Sequence, residues 1–183
     1  MAMPATVSDR EICHQQAFST GGAVYTKFIS SMGVGVMGPK GIEATVRELA
    51  DREAIRDLVS RYAHCVWRKD VRGTVRLFAE DGEMDTGDRP PIKGRTALLE
   101  EYQRMITGPQ FHPFVHNHLI ELHGDTAVGM CYLDLRATIE GTSMIGSGYY
   151  DDRYIRVDGE WKFQSRKLTL CYFAPLRQGW ADR

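Results

Sequence analysis

Hydrophobic positions along the chain change from a helical period to a strand period near residue 110. From Ile55 to Val66, apolar residues recur every three or four positions, which predicts one buried helical face. Helices are predicted over residues 42–70, 71–78 and 96–106, with a strand over 83–86 between the last two. Four long strands follow over 114–122, 127–139, 144–157 and 161–173, joined by tight turns such as Asp158-Gly159. We therefore predict an α+β fold, with N-terminal helices packed over a curved, mainly antiparallel sheet.

The first 41 residues differ from the rest, because glycines and Pro39 accumulate before the first long helix. We predict an N-terminal arm over residues 1–41, a domain over 42–176 and a short tail over 177–183. Residues 33–38 spell GxGxxG, but Pro39 and Gly41 stand where a dinucleotide-binding helix would have to begin. A nucleotide cofactor is therefore not predicted.

The predicted strands carry bulky apolar groups on both faces. Met130 and Tyr132 lie on one parity of the strand, and Leu133 and Leu135 lie on the other. A sheet with one wet face would alternate more cleanly. We expect helices on one face and a second subunit on the other, which predicts a homo-oligomer, either a dimer or a trimer.

Composition narrows the function classes. The 183-residue chain has a formal net charge of -1, so no overall positive field directs it to nucleic acid or to an anionic membrane. Its four cysteines are far apart, which argues against a zinc knuckle or a disulfide scaffold. No apolar run approaches the roughly 20 residues of a membrane span. We expect a cytoplasmic protein that binds a small molecule.

The densest polar cluster spans residues 112–118 and holds three histidines. Histidine exchanges protons near neutral pH, so His112 and then His116 are candidate proton acceptors. His116 and His118 share a strand parity, which leaves a metal site open as an alternative. Glu121 has the opposite parity and would not complete that site. Our main prediction therefore has no metal and no cofactor.

Residues 55–85 carry Tyr62 inside the apolar stripe and are followed by the strand-rich half. In these features the chain resembles the SnoaL-like branch of the NTF2-like superfamily, and the resemblance covers residues 45–175. The resemblance implies a cone-shaped α+β domain that encloses an apolar pocket, and it implies oligomers. The resembled dehydratases and dehydrohalogenases pair a histidine base with an aspartate. In this chain the histidine position falls on Pro113, with His112 one residue out of register, and the aspartate position falls on Trp67.

The same resemblance assigns the remaining candidate residues. Tyr62 matches the oxyanion-hole tyrosine of ketosteroid isomerases, and Arg166 matches a strand arginine that can receive a departing anion in dehydrohalogenases. Tyr150 matches a position in the pocket wall. Cys131 stands where scytalone dehydratases place a second histidine, and Met84 is expected to line the pocket. Trp67 suits stacking on an aromatic substrate.

Together these features predict a cofactor-independent lyase, dehydratase or isomerase that transfers protons on a small hydrophobic, aromatic or cyclic compound. His112 or His116, Tyr62 and Arg166 are the predicted catalytic residues. Trp67, Met84, Cys131 and Tyr150 are the predicted substrate contacts. Because the usual aspartate is replaced, a non-catalytic ligand-binding protein or a small structural subunit of an oxygenase is the alternative.

Overall fold

The structure is a computed structural model and describes residues 41–179. Helix α1 spans Ile42–Trp67, α2 spans Val71–Arg76 and α3 spans Arg95–Thr107. The strands are β1 (Phe78–Asp85), β2 (Ile92–Lys93), β3 (Gln110–His123), β4 (Thr126–Ile139), β5 (Thr142–Val157) and β6 (Glu160–Pro175). The predicted order of helices and strands is confirmed, except that the two-residue β2 was not predicted and that α2 ends at Arg76 rather than at residue 78. The predicted N-terminal arm lies outside the described residues.

The strands form one six-stranded sheet in the order β2-β1-β6-β5-β4-β3. Only the β1–β6 pair is parallel within this sheet, so the predicted mainly antiparallel arrangement is confirmed. Asp158 and Gly159 both have positive φ, at 51° and 82°, as a type I′ turn requires. Glu140 and Gly141 make the same kind of turn between β4 and β5, with φ of 49° and 77°.

The junction of α1 and α2 depends on Asp70 and Gly73. The Asp70 carboxylate accepts a hydrogen bond from the Gly73 backbone N–H at 2.8 Å and so caps α2. A Cβ at position 73 would stand 2.2 Å from that carboxylate. The cap of α2 therefore requires glycine at position 73. Helix α1 ends at Trp67, three residues before its predicted end at residue 70.

The helices cover one face of the sheet, here called the inner face. The core between them contains Ile55, Leu58 and Tyr62 of α1 together with Phe163 of β6, all buried. Inward side chains alternate along β4, where Cys131, Leu133 and Leu135 are buried. The opposite, outer face carries the residues between them, such as the exposed Asp134 and Arg136.

Two irregularities in register bring polar residues onto the inner face. In β3, register shifts between His116 and Leu119, and Asn117 has φ 49°. In β6, Phe163 pairs with Tyr154 and Ser165 with Arg153, so Gln164 is an extra residue. A bulge of this kind reverses the face of every later residue. His118 and Arg166 follow these two bulges directly.

Within residues 41–179 no helix has both the length and the apolar character needed to cross a membrane.

Candidate active site

Arg166 lies at the centre of the inner face and is completely buried, at 0% exposure. Its guanidinium is held by Asp152 of β5 through two hydrogen bonds, Nε to Oδ1 at 2.8 Å and Nη2 to Oδ2 at 2.7 Å. Burial alone would lower the pKa of Arg166, but the paired carboxylate of Asp152 more than offsets this and raises it. The pair is therefore a fixed cation and anion in a dry environment.

Three aromatic rings surround the same guanidinium. Its carbon lies 4.3 Å from the ring centre of Tyr62, 4.0 Å from that of Tyr150 and 4.1 Å from that of Phe163. Cation–π attraction stabilises a charge in such a box. The third nitrogen, Nη1, is buried and has no hydrogen-bond partner of good geometry among residues 41–179; the Tyr62 hydroxyl also lies near the guanidinium, and this contact acts to lower the pKa of Tyr62. A buried guanidinium N–H without an acceptor is costly, so it can receive an acceptor from a bound molecule.

A chain of hydrogen bonds leads from this pair to His118. Tyr154 donates its hydroxyl hydrogen to Asp152 Oδ2 at 2.8 Å, and His118 Nε2 lies 3.0 Å from the same hydroxyl oxygen. Because the tyrosine hydrogen is given to the carboxylate, His118 must donate from Nε2, which leaves the lone pair on Nδ1. Burial, assisted by Arg166 and Arg56, lowers the pKa of His118 from 6.5 to about 4, although Asp152 opposes this.

The tyrosines around Arg166 are protonated donors at neutral pH. The Tyr62 and Tyr102 hydroxyls share a hydrogen bond of 2.9 Å. Burial raises the pKa of Tyr62, while Arg166 and the bond to Tyr102 act in the opposite direction. Burial also raises the pKa values of Tyr102 and Tyr150 well above 10.0. None of the three is suited to act as a base, but Tyr62 is suited to donate to a developing oxyanion.

Four predicted site residues lie together or in the adjoining core: Tyr62, Tyr150, Arg166 and Cys131. Burial raises the pKa of the Cys131 thiol to about 11, so it stays protonated and packs as an apolar group. The Cys131 thiol also approaches the His116 carbonyl oxygen at 3.6 Å. Met84 is 2% exposed and belongs to the same core cluster.

Trp67 and His112 lie together at the edge of the sheet. The Trp67 indole N–H donates to the Pro113 carbonyl oxygen at 2.8 Å, and its ring stacks on His112 with centroids 4.1 Å apart. Phe114 meets the same indole edge-on at 5.2 Å. By the family resemblance, Trp67 stands at the aspartate position and Pro113 at the histidine position. These two residues are neighbours here, joined by a hydrogen bond between an indole and a peptide carbonyl. Trp67 is 42% exposed.

His116 projects from the outer face, where it lies 3.5 Å from Asp134 and stacks near Tyr132. The prediction that His116 and His118 share a face is wrong, because the bulge at Asn117 turns His118 inward. Among the described residues, no group of three histidine, cysteine or acidic side chains could hold a metal ion.

Sequence reasoning missed His118, Asp152, Tyr154 and Tyr102 as members of this site. One signal was available, because Tyr150, Asp152 and Tyr154 alternate on β5 and must share a face. For His118 the bulge at Asn117 hides the inward orientation.

A separate depression of about 1120 Å³ lies on the outer face of the sheet. The lining residues include Glu83, Met130, Arg153 and Lys167, and also Asp152 and Arg166. The Arg166 and Asp152 side chains are both 0% exposed and point to the inner face, so this depression is distinct from the candidate site.

The fold and the buried site agree with a family assignment. The profile of the SnoaL-like domain matches residues 47–167, so this chain belongs to the SnoaL-like family of the NTF2-like superfamily. The predicted resemblance is confirmed. The relatives at 30% identity are dehydrochlorinases, which supports cofactor-independent lyase-type activity at the level of the family.

Several relatives can be compared in detail. The chain is 30% identical over 134 residues to the gamma-hexachlorocyclohexane dehydrochlorinase of Sphingobium indicum, covering 70% of this chain and 85% of the relative. A solved protein of unknown function from Mycobacterium tuberculosis is 29% identical, with a TM-score of 0.64 over 74% of this chain and 78% of its own. A scytalone dehydratase-like protein from Novosphingobium aromaticivorans is 23% identical, with a TM-score of 0.67 over 72% and 91%, and supports the fold.

Proposed function

We propose that this protein is a cofactor-independent lyase that eliminates a small anion or water from a small hydrophobic, cyclic or aromatic compound. The observation that carries the proposal is the free Nη1 of Arg166, buried in an aromatic box. The similarity to a dehydrochlorinase supports the same reaction class.

Arg166 takes the negative charge in this proposal. During elimination the C–X bond breaks and its electrons leave with X, which gains negative charge and accepts the Nη1–H. Asp152 holds the guanidinium in place, so little reorganisation is needed as charge develops. Tyr62 and Tyr150 present ring faces that shape an apolar environment for the organic part of the substrate.

The proton-accepting role falls to His118. Among the three histidines of β3 nearest to its start, His118 has the inward side chain and is joined to Arg166 through Tyr154 and Asp152. Its Nδ1 carries the lone pair and receives the proton from the substrate carbon, whose C–H electrons form the new double bond. His112 and His116 were predicted for this role, but His112 stacks on Trp67 and His116 faces Asp134.

Product formation tests the proposal directly. Purified protein is incubated with γ-hexachlorocyclohexane and with cyclic β-halo and β-hydroxy ketones, and released chloride or the absorbance of the new conjugated product is measured. Replacing one charge-stabilising donor lowers kcat by about 10²–10³-fold, so Arg166→Gln is expected to do so. The double variant Arg166→Gln/Asp152→Asn repeats the test without a buried unpaired carboxylate. Arg153→Gln, on the exposed outer face, is the matched control.

The histidines are compared in the same assay. Loss of a general base lowers the rate by about 10²–10⁴-fold. We expect this loss in His118→Gln. An equal loss of rate in His112→Gln or His116→Gln would assign the role of base to that residue instead. If wild-type protein converts none of the tested compounds, the lyase proposal is contradicted.

One observation favours a second candidate, a ligand-binding protein without turnover. By the sequence resemblance, Trp67 and Pro113 stand where the family has its aspartate and histidine, and here the Trp67 indole N–H donates to the Pro113 carbonyl oxygen instead. Such a protein would bind cyclic compounds, detected by quenching of tryptophan fluorescence, and would release no chloride or water from any of them. Product release at a rate that Arg166→Gln reduces would exclude this candidate.

A further inference from the structure

Arg166 and Asp152 cancel each other's charge inside the core. Both side chains are 0% exposed, and they are joined by the two hydrogen bonds described above. An anion that accepts the free Nη1–H would therefore give the buried site a net negative charge. In a dry, aromatic environment such an uncompensated charge is costly.

His118 can supply the compensating charge without disturbing the hydrogen-bond chain. Its Nε2–H already donates to Tyr154, so an added proton goes to Nδ1 and leaves that bond intact. His118 is half-buried, whereas Tyr154, Asp152 and Arg166 are buried. It is thus the member of the chain that reaches solvent and can exchange a proton with it.

We propose that an anion on the free N–H of Arg166 and a proton on His118 bind cooperatively. This inference rests on the proposed function, because elimination leaves both an anion and a proton in the site. The proton taken from the substrate and the departing anion then stabilise each other until both are released. His118 acts as a base before the bond breaks and as a cation afterwards.

The charges that face His118 come from three elements. Arg56 on α1 and Arg166 on β6 disfavour its protonated form, whereas Asp152 on β5 favours it. Tyr154 on β5 is neutral because burial, followed by the nearby Asp152, raises its pKa well above 10.0. An anion at Arg166 cancels one of the two opposing cations, so protonation of His118 becomes easier. By linkage, a proton on His118 strengthens anion binding by the same factor.

The experiment follows the imidazole NMR signals of His118 during a pH titration, with and without sodium bromide. Bromide stands for the departing anion, and the Arg166 Nε–H signal reports whether it binds. We expect bromide to raise the His118 midpoint by about one unit, which corresponds to about a tenfold coupling. Exposed His64 on α1 is the internal reference for a general salt effect. In His118→Gln, whose side-chain amide can still donate to Tyr154, bromide affinity should no longer depend on pH.

The outcomes separate this inference from the proposed function. If bromide perturbs the Arg166 signal but shifts the His118 midpoint no more than it shifts the His64 midpoint, the coupling is wrong and the role of Arg166 survives. If bromide leaves the Arg166 signal unchanged at every pH, the coupling and the anion-receiving role both fail. A His118 shift that persists in Arg166→Gln/Asp152→Asn would also overturn the coupling.

Discussion

Removing the charge of Asp152 is expected to be among the most destabilising single substitutions in the domain. Asp152→Asn preserves the shape of the side chain but leaves the Arg166 guanidinium, at 0% exposure, without a counter-charge. It also places an amide N–H₂ against donors, either Nε of Arg166 at one oxygen position or both Nη2 of Arg166 and the Tyr154 hydroxyl at the other. Breaking a buried ion pair from one side costs about 3–5 kcal/mol, and we expect a loss within that range.

The assay is urea unfolding followed by circular dichroism, with Asp57→Asn as the matched control. Asp57 pairs with Arg61 at 2.6 Å, a shorter distance than either Asp152 contact, but the two side chains are 51% and 68% exposed. An exposed pair contributes at most about 1 kcal/mol, so the control should change little.

A double variant tests whether the loss of stability in Asp152→Asn comes from the unpaired charge of Arg166. Arg166→Met/Asp152→Asn removes both charges and should recover part of the lost stability, because a neutral pair no longer buries a lone cation. The reasoning is refuted if Asp152→Asn costs less than the Asp57→Asn control, or if the double variant loses the full sum of the two single effects.

Three further predictions use other parts of the molecule. The pKa of His118 is about 4 in the folded state and 6.5 in the unfolded chain, so the unfolded chain binds more protons between those pH values. The free energy of unfolding should therefore fall by about 3 kcal/mol as pH drops from 6.5 to 4. Urea titrations should show this pH dependence in the wild type and a smaller one in His118→Gln. Gly148→Ala places a Cβ 2.0 Å from the Thr169 carbonyl oxygen and should cost about 3 kcal/mol or more by thermal unfolding, whereas Gly108→Ala, with open space around it, should not. Light scattering should show a dimer or trimer, because the family resemblance implies oligomers and the outer face leaves both Phe114 and Val128 exposed; a monomer at micromolar concentration would contradict this.

The fold could be predicted from the sequence because its periods are strong. The helical stripe from Ile55 to Val66 and the turn residues of the hairpins each specify one local structure, and these agree with one another. The first strand was predicted too short, at 83–86, because Gly82 and the exposed charges before it obscure the alternation. In the structure β1 begins at Phe78, whose neighbour across the parallel pair is Phe163.

The site residues stay a prediction. Family resemblance pointed to Tyr62, Tyr150 and Arg166, and in the structure the rings of the two tyrosines lie against the guanidinium of Arg166. It did not point to His118 or Asp152. Strand alternation fails where a bulge inserts one residue. Asn117 belongs to a residue type that tolerates positive φ, which is a weak local sign of a bulge, whereas nothing local marks Gln164. Which residues of β3 and β6 point inward after the bulges depends on pairing with the neighbouring strands, and this pairing cannot be read from the local sequence.

The central claim is that the free N–H of Arg166 receives negative charge. A crystal soaked in sodium bromide and measured at the bromine absorption edge tests it most directly. We predict an anomalous peak within hydrogen-bonding distance of Arg166 Nη1, absent from crystals of Arg166→Gln/Asp152→Asn. Bromide at surface sites alone, with the space beside Nη1 filled by protein atoms or water in the same crystal, would contradict the account.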